Sequence, residues 1–257
     1  MTHDTSPPLP PTRRARRTAK RRRSAGDIIT LVIGELLFTA GAFIGLFLLW
    51  QMWYTNFEAS ANNEQAVAVI EEKFQPRVEK TVEPEQRRTD LPPAAEPVGK
   101  NQGFATLYVP RWGSDYKVGI AEGLSYSEVL NHGLIGHYPQ TSLIGEIGNA
   151  GLAAHRMTRG SVFQHIDTLQ DGDEVIVETD KAWMVFKVKS HEIVLPDAGE
   201  VLYPVPHQPG VEATEAMLTL TTCHPLMSTR ERYIVYTTLD YWIPRDAGMP
   251  EAILEAQ

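Results

Sequence analysis

The chain has 257 residues, of which 42% are apolar and 22% charged, and it carries a formal net charge of −8. This length and apolar share are sufficient to bury a core, and they exclude a wholly disordered or collagen-like chain. The single cysteine, Cys223, excludes an internal disulfide and any zinc or iron–sulfur site built from several cysteines.

Charge is distributed unevenly along the chain. Residues 1–27 hold eight Lys and Arg against two Asp and Glu, so residues 28–257 carry 16 against 30, a net charge of −14. Because contacts with phosphates require a basic face, the main part of the chain is not expected to bind nucleic acid.

The N-terminal region has the pattern of a membrane anchor. Eight basic residues between Arg13 and Arg23 precede an apolar run over residues 28–50, which only Glu35 interrupts. At about 1.5 Å per helical residue, this run spans a hydrocarbon core of about 30 Å. The basic flank predicts a cytoplasmic tail at residues 1–27, a single-pass signal anchor in the cell membrane and an extracellular remainder. A cleaved signal peptide is the alternative, but its apolar region is shorter, about 7–15 residues.

Residues 51–103 are predicted to be a spacer. Residues 58–74 are rich in helix formers and would extend the membrane helix as a stalk. Residues 75–101 contain five prolines, many charges and few apolar residues, which is typical of a flexible tether. The folded domain is therefore expected at residues 104–257.

The folded domain is predicted to be mainly β. Apolar runs with alternation or β-branched residues predict seven strands, at residues 104–109, 116–121, 150–155, 173–178, 182–194, 216–223 and 233–242. Two segments indicate helices: residues 125–131, which follow a Ser cap, and residues 161–169, which have one apolar face. Closely spaced strands with few helices favour a closed barrel or a sandwich.

Three polar side chains stand at the ends of predicted strands. Cys223 ends the run Met-Leu-Thr-Leu-Thr-Thr-Cys, His155 ends Ala-Gly-Leu-Ala-Ala-His, and Arg232 opens Arg-Tyr-Ile-Val-Tyr. A nucleophilic cysteine needs a proton-transfer partner and a positive charge, because the thiolate is the reactive form. If these strand ends converge, the three side chains meet at one rim. A buried, inert cysteine is the alternative.

Other histidines and arginines are weaker candidates. His224 follows the cysteine, but strand alternation directs it to the opposite face. His137 lies near a turn and is expected to be solvated. Arg230 shares the strand parity of Arg232 and could replace it, whereas Arg156 could pair with a carboxylate. The sequence contains no HExxH-like pair, so no metal or other cofactor is expected.

These segments resemble the sortases, the membrane-anchored cysteine transpeptidases of Gram-positive cell walls. Thr-Leu-Thr-Thr-Cys at residues 219–223 matches the TLxTC signature, and Arg232 resembles the arginine that opens the last sortase strand. Residues 149–156 resemble the segment that carries the sortase histidine, with Ala154 where glycine is usual. Two further motifs are most similar to class E: Gly-His-Tyr-Pro at residues 136–139 and Cys-His-Pro at residues 223–225. Classes D and F are the alternatives.

The resemblance covers residues 104–242 and implies an eight-stranded, closed sortase β-barrel with one or two short helices behind a single transmembrane helix. It implies that Cys223 attacks the Thr–Gly carbonyl of an LAxTG- or LPxTG-like sorting signal. His155 would transfer protons, and Arg232 would hold the substrate and stabilise the oxyanion. The implied acceptor is an amine of a peptidoglycan precursor or a pilin lysine.

The resemblance also implies two substrate-binding residues, Tyr138 and Thr222, although each could simply pack. Two other functions stay open at this point. One is a membrane-anchored cysteine hydrolase that releases peptides to water, and the other is a non-catalytic extracellular β module that binds a partner.

Overall fold

The computed structural model describes residues 24–74 and 76–254, so most of the predicted cytoplasmic tail, residues 1–27, lies outside the described residues. The contacts divide the described residues into two compact units, with the boundary between Leu49 and Trp50. Helix α1, Ala25–Lys73, begins in the first unit and ends in the second.

The first unit contains the apolar part of α1. At its start, the backbone amide of Asp27 donates to Ser24 Oγ at 3.1 Å, and that of Ser24 donates to the Asp27 carboxylate at 3.0 Å, which is a capping arrangement. The apolar side chains that follow are exposed around the whole helix. By length and composition this helix can cross a membrane.

The second unit is built on a closed barrel of eight strands in the order β1-β2-β3-β4-β7-β8-β6-β5. The strands are β1 (Gly103–Tyr108), β2 (Lys117–Glu122), β3 (Ile135–His137), β4 (Gly148–Ala153), β5 (Glu174–Glu178), β6 (Ala182–Val194), β7 (Ala216–His224) and β8 (Glu231–Pro244). The pairs β2–β3 and β4–β7 are parallel. The closed barrel confirms the predicted fold, and β3 is the strand that sequence patterning missed.

Strand alternation fills the barrel and places the site. Leu218 and Leu220 on β7 are fully buried in the main apolar core, together with Leu152 on β4 and Val235 on β8. Burying one such side chain stabilises the fold by about 1.5–3 kcal/mol. Because successive strand residues face opposite sides, the odd-numbered residues of β7, Cys223 among them, lie on the outer surface of the barrel.

The two predicted helices are shorter than expected. In residues 125–131 the backbone amide of Glu128 donates to Ser125 Oγ at 3.3 Å, as a Ser cap requires, but the segment forms turns that end in a 3-10 helix at Leu130–His132. Residues 161–169 likewise form turns and a 3-10 helix at Ile166–Thr168. Such short segments do not repay the cost of starting an α-helix, and packing of their apolar residues fixes them instead. A further α-helix, α2, covers Glu251–Leu254.

The C-terminal part of α1 packs on the barrel and is not a free stalk. Ala59, Val67 and Ile70 are buried. Asn63 binds β2 twice: its Nδ2 donates to the Lys117 carbonyl at 2.9 Å, and its Oδ1 accepts from the Gly119 amide at 3.0 Å. The predicted helix is therefore present, with one face docked.

The expectation of a flexible tether at residues 75–101 does not hold for residues 76–101. The backbones of Arg88 and Trp242 exchange hydrogen bonds of 2.9 and 2.8 Å, and the Ala95 amide donates to the Ile144 carbonyl at 2.8 Å. Val82 is buried as well. Partners far along the chain bind backbone groups of Arg88 and Ala95 in this proline-rich segment, and composition does not reveal such partners.

Candidate active site

Cys223 and Arg232 are brought together by the β7–β8 ladder. They are directly opposite each other in this antiparallel pair, so their side chains share the outer face and their Cα atoms lie about 4.5–5.5 Å apart. Both residues are half-buried. The alternative cation, Arg230, lies beyond the last register pair of the ladder, His224 with Glu231.

His155 is brought to the same rim by the parallel pairing of β4 with β7. The register ends with Ala153 opposite Thr221. Beyond it, the Ala154 amide donates to the Thr221 carbonyl at 3.3 Å, and Thr222 Oγ1 donates to the Ala154 carbonyl at 2.7 Å. His155 and Cys223 are the residues that follow Ala154 and Thr222. We call Cys223, His155 and Arg232 the outer triad, because they stand at the ends of the adjacent strands β4, β7 and β8 on the outer face.

The surroundings of His155 favour a neutral ring with a defined tautomer. Its Nε2 lies 2.9 Å from Asn131 Oδ1. An amide oxygen only accepts, so Nε2 donates and Nδ1 is left to accept a proton. Burial and the nearby Arg159 cation lower the pKa of His155. Sequence reasoning missed Asn131, which reaches the site from the 3-10 helix Leu130–His132 that ends the predicted helical segment.

Arg232 is held by carbonyl groups of two residues that precede it in the chain. Its Nη1 donates to the Thr229 carbonyl at 3.0 Å and to the Glu231 carbonyl at 2.9 Å. A guanidinium has five N–H donors in a rigid fork, so a group anchored through one nitrogen can still bind a carbonyl or an oxyanion with the others.

The two predicted substrate-binding residues occupy different positions. Half-buried Tyr138 lies on the outer face, where its hydroxyl is 3.1 Å from Thr221 Oγ1. Its ring crowds Gly151, since a Cβ there would come within 2.9 Å of the ring. Thr222 is buried, and its hydroxyl joins the ends of β4 and β7 through the bond to Ala154. The substrate-binding assignment of both residues stays a prediction.

The position of His224 agrees with strand alternation. Its Nδ1 accepts a hydrogen bond from Arg156 Nη1 at 2.8 Å. Arg156 also forms an ion pair of 2.7 Å with Asp167, which is the kind of carboxylate partner expected for it from the sequence. These contacts place His224 on the opposite face of β7 from the nucleophile candidate.

The expectation of a solvated His137 is wrong. His137 belongs to β3 and is 1% exposed. Its Nδ1 lies 2.8 Å from the Glu122 carboxylate and its Nε2 3.0 Å from the Ser142 carbonyl. Both ring nitrogens therefore have protein partners, as a buried polar side chain requires. The short strand β3, which sequence patterning does not detect, is the reason for this burial.

The outer triad combines the groups required for acyl transfer through a thiol. A cysteine can attack a carbonyl, a neutral imidazole can accept its proton, and a guanidinium can stabilise the oxyanion that forms. Cys223 and Arg232 lie within β7 and β8, which fixes their positions more firmly than a loop would, and His155 follows the end of β4 by two residues.

Comparison with known proteins points to one family. The Sortase domain model matches residues 107–240. Sortase SrtE1 of Streptomyces coelicolor is 34% identical over 247 residues, which cover 93% of this chain and 66% of that protein. Sortase SrtE2 of the same organism is 35% identical over 218 residues, 81% of each chain. This chain therefore spans slightly less than two thirds of the first relative.

Solved structures show the same similarity. The SrtA sortase from Actinomyces oris has a TM-score of 0.62 and 43% identity, covering 65% of this chain and 96% of that chain. The crystal structure of Sortase E1 from Streptomyces coelicolor with a tripeptide in the active site has a TM-score of 0.56 and 38% identity, covering 60% and 97%.

Proposed function

This chain belongs to the sortase family, whose members are cysteine transpeptidases, and on that premise we propose that it cleaves a C-terminal sorting signal and transfers the acyl part to an amine. The observation that carries the proposal is the convergence of the outer triad at the ends of β4, β7 and β8. We further propose that Cys223 is the nucleophile, His155 the proton carrier and Arg232 the oxyanion donor.

In the first half-reaction, the Cys223 thiol gives its proton to His155 Nδ1, and Sγ attacks the carbonyl carbon of threonine in a Thr–Gly bond. Arg232 stabilises the tetrahedral oxyanion. The C–N bond then breaks, His155 returns the proton to the departing glycine amine, and the acyl group remains on sulfur as a thioester. One such oxyanion donor contributes about 3–4 kcal/mol to transition-state stabilisation.

In the second half-reaction, an acceptor amine attacks the thioester carbonyl. His155 takes the proton of the attacking amine, a new amide bond forms, and the Cys223 thiolate leaves and is reprotonated. Because the neutral form of His155 is favoured by the lowering of its pKa, the ring is ready to accept a proton in each half-reaction.

Similarity to sortases of class E supports a proposal for the substrate and the acceptor. We propose an LAxTG- or LPxTG-like signal as donor and an amine of a peptidoglycan precursor or a pilin lysine as acceptor. Tyr138, on the outer face beside β4, is proposed to line the substrate groove. Thr222 is proposed to contribute through its backbone, since its hydroxyl is engaged with Ala154.

We propose that residues 1–27 are cytoplasmic, that residues 28–50 cross the cell membrane, and that the barrel domain from residue 104 lies outside the cell. The exposed apolar helix supports the anchor. A tethered enzyme whose substrates are also held at the membrane meets them at high effective concentration, which favours transfer to an amine over hydrolysis.

The test uses the full-length chain in detergent micelles, because residues that precede the barrel, such as Ile70 and Ala95, are buried in the folded unit. The enzyme is incubated with an LAxTG peptide and an amine, and the products are identified by mass spectrometry beside the Cys223→Ala variant. The proposal predicts cleavage between Thr and Gly with the amine joined to the acyl fragment, and no product from the variant. A free acid whether or not amine is present identifies a hydrolase. Binding without cleavage of either an LAxTG or an LPxTG peptide identifies a binding module.

A further inference from the structure

Each residue of the outer triad is followed in the sequence by a residue that faces the other side of the sheet. These following residues are Arg156, His224 and Tyr233, which we call the inner cluster. One peptide unit joins each member of the inner cluster to the member of the outer triad that precedes it.

The inner cluster is held together by direct contacts. Arg156 Nη1 donates to His224 Nδ1 at 2.8 Å. The guanidinium carbon of Arg156 lies 5.5 Å from the centre of the Tyr233 ring. The centres of the His224 and Tyr233 rings are 5.6 Å apart. Asp167, on the 3-10 helix at Ile166–Thr168, closes the cluster through its 2.7 Å ion pair with Arg156.

Burial makes the Arg156 contacts geometrically demanding. The side chain of Arg156 is only 2% exposed, and a buried charge is tolerated when it is paired and hydrogen-bonded. His224 can accept from the guanidinium only through an unprotonated Nδ1, which fixes the tautomer and the orientation of its ring. The planar guanidinium thus joins the His224 side chain to Asp167 in one rigid arrangement.

The location of the inner cluster matters because the β4–β7 ladder stops before His155 and Cys223. Its register ends at Ala153 and Thr221, and the next links are the hydrogen bonds from the Ala154 amide to Thr221 and from the Thr222 hydroxyl to Ala154. The Arg156–His224 hydrogen bond continues this connection past both strand ends, on the inner side, one residue beyond the members of the outer triad.

We propose that Arg156, His224 and Tyr233 are positioning residues, and that the Arg156–His224 hydrogen bond sets the separation of the His155 imidazole from the Cys223 thiol. This inference rests on the proposed function, since it assigns a purpose to a spacing that thiol chemistry requires. Loss of the bond removes the link between the two segments beyond Ala154 and Thr222, and a displacement of about 1 Å in a reacting group can cost about a hundredfold in rate.

Four variants of the full-length chain in detergent test the proposal. Arg156→Gln and His224→Leu remove the hydrogen bond, whereas His224→Asn keeps an acceptor in the place of Nδ1. The matched control is Arg245→Gln. Arg245 is likewise a buried arginine paired with a carboxylate, Glu178 at 3.0 Å, but it follows the opposite end of β8.

Two readouts separate positioning from stability. One is the pH dependence of Cys223 alkylation by iodoacetamide, which reports the coupling of the thiol to His155 and requires no peptide substrate. The other is kcat and KM for transfer of an LAxTG peptide to an amine, measured beside the thermal unfolding midpoint. Failure of the wild-type chain to cleave any peptide would refute the proposed function, while alkylation would still test the positioning role.

We expect Arg156→Gln and His224→Leu to displace the alkylation profile and to lower kcat by about tenfold or more, with a smaller change in KM. His224→Asn should retain most of the wild-type kcat and an alkylation profile close to that of the wild type. Arg245→Gln should lower the unfolding midpoint without moving the alkylation profile. The proposal is overturned if the folded Arg156→Gln and His224→Leu variants keep the wild-type profile and kcat, or if Arg245→Gln moves them equally.

Discussion

Cys223 and Arg232 lie directly opposite each other across the antiparallel β7–β8 ladder. The strand pairing itself therefore fixes the distance between the proposed nucleophile and the proposed oxyanion donor. Neither residue depends on a mobile loop for this placement, although the two are joined along the chain by a turn, residues 225–230. A site built in this way is preorganised before substrate binds.

This relationship gives Arg232 a larger role than its neighbour Arg230. Arg232→Met should lower kcat/KM about 10²- to 10³-fold, because it removes a donor to the oxyanion. Arg230→Met is the matched control, since it removes the same charge from an exposed position beyond the ladder. Steady-state kinetics with an LAxTG peptide give kcat/KM for the two variants and show which arginine the reaction needs. Equal losses would assign the effect to general electrostatics instead.

Cys223→Ala should abolish turnover and leave the fold intact. The thiol is half-buried, so its removal costs little packing and should shift the unfolding midpoint by only a few degrees. Circular dichroism and thermal unfolding check the fold beside the activity assay. Global unfolding of this variant would show that the cysteine is structural.

Removal of the Arg159 cation should raise the pKa of His155. A nearby positive charge disfavours the imidazolium, so Arg159→Gln relieves one of the two causes that lower this pKa, while burial, the larger cause, remains. Titration of the His155 ring protons by NMR should therefore show an upward displacement that still stops below the ordinary histidine value. Arg159→Lys retains the charge and should titrate as the wild type does. An unchanged or lowered pKa in Arg159→Gln would contradict the assignment.

The same pKa shift has a consequence for stability. Because the pKa of His155 is lower in the folded than in the unfolded chain, the unfolded chain binds more protons between the two values. The contribution of His155 to the free energy of unfolding should therefore decrease as the pH falls through this window. Replacement of His155 by Gln should remove that contribution, as measured by denaturant unfolding at a series of pH values.

The docked part of α1 should contribute measurably to the stability of the barrel unit. Ile70 is 2% exposed and sits so close to β1 that a Cβ on Gly103 would come within 2.7 Å of it. Ile70→Ala should lower the free energy of unfolding by about 2–4 kcal/mol, whereas Val69→Ala, at an exposed position, should change it by less than about 0.5 kcal/mol. Equal effects in urea unfolding would mean that the helix is not docked.

Local pattern was sufficient to predict most of the barrel. Long strands such as β6 and β8 have alternating or β-branched sequences that extend over many residues, so their existence can be read without knowledge of their partners. Strand β3 has only three residues and pairs with distant segments, and its short sequence has no period to detect. The burial of His137 was missed for the same reason.

Docking of the spacer was not predictable, because it depends on close approach and not on an apolar stripe. A Cβ on Gly133 would come within 2.6 Å of the Ala59 carbonyl oxygen, so a small residue on each side makes the contact possible. In a single sequence, a glycine or an alanine does not indicate that another segment packs closely against it. The hydrogen bonds of residues 76–101 are equally invisible, since their partners lie far away in the chain.

The outer triad could be proposed from the sequence because its members are chemically distinctive and stand at the ends of recognisable strands. The supporting contacts could not be proposed in the same way. The bond of Asn131 to His155 and that of Arg156 to His224 join residues 24 and 68 positions apart, and they depend on the register between strands and turns. Register of this kind is set by tertiary packing.

The most direct test of the account is a search for the thioester on Cys223. The full-length chain is incubated with an LAxTG peptide without amine and quenched in acid, and both its intact mass and its proteolytic peptides are then measured. If Cys223 is the nucleophile, the peptide that contains it gains the mass of the acyl fragment ending in threonine, and hydroxylamine removes this mass. Cleavage of the LAxTG peptide at an undiminished rate by Cys223→Ala, or an acyl group found on another residue, would contradict it.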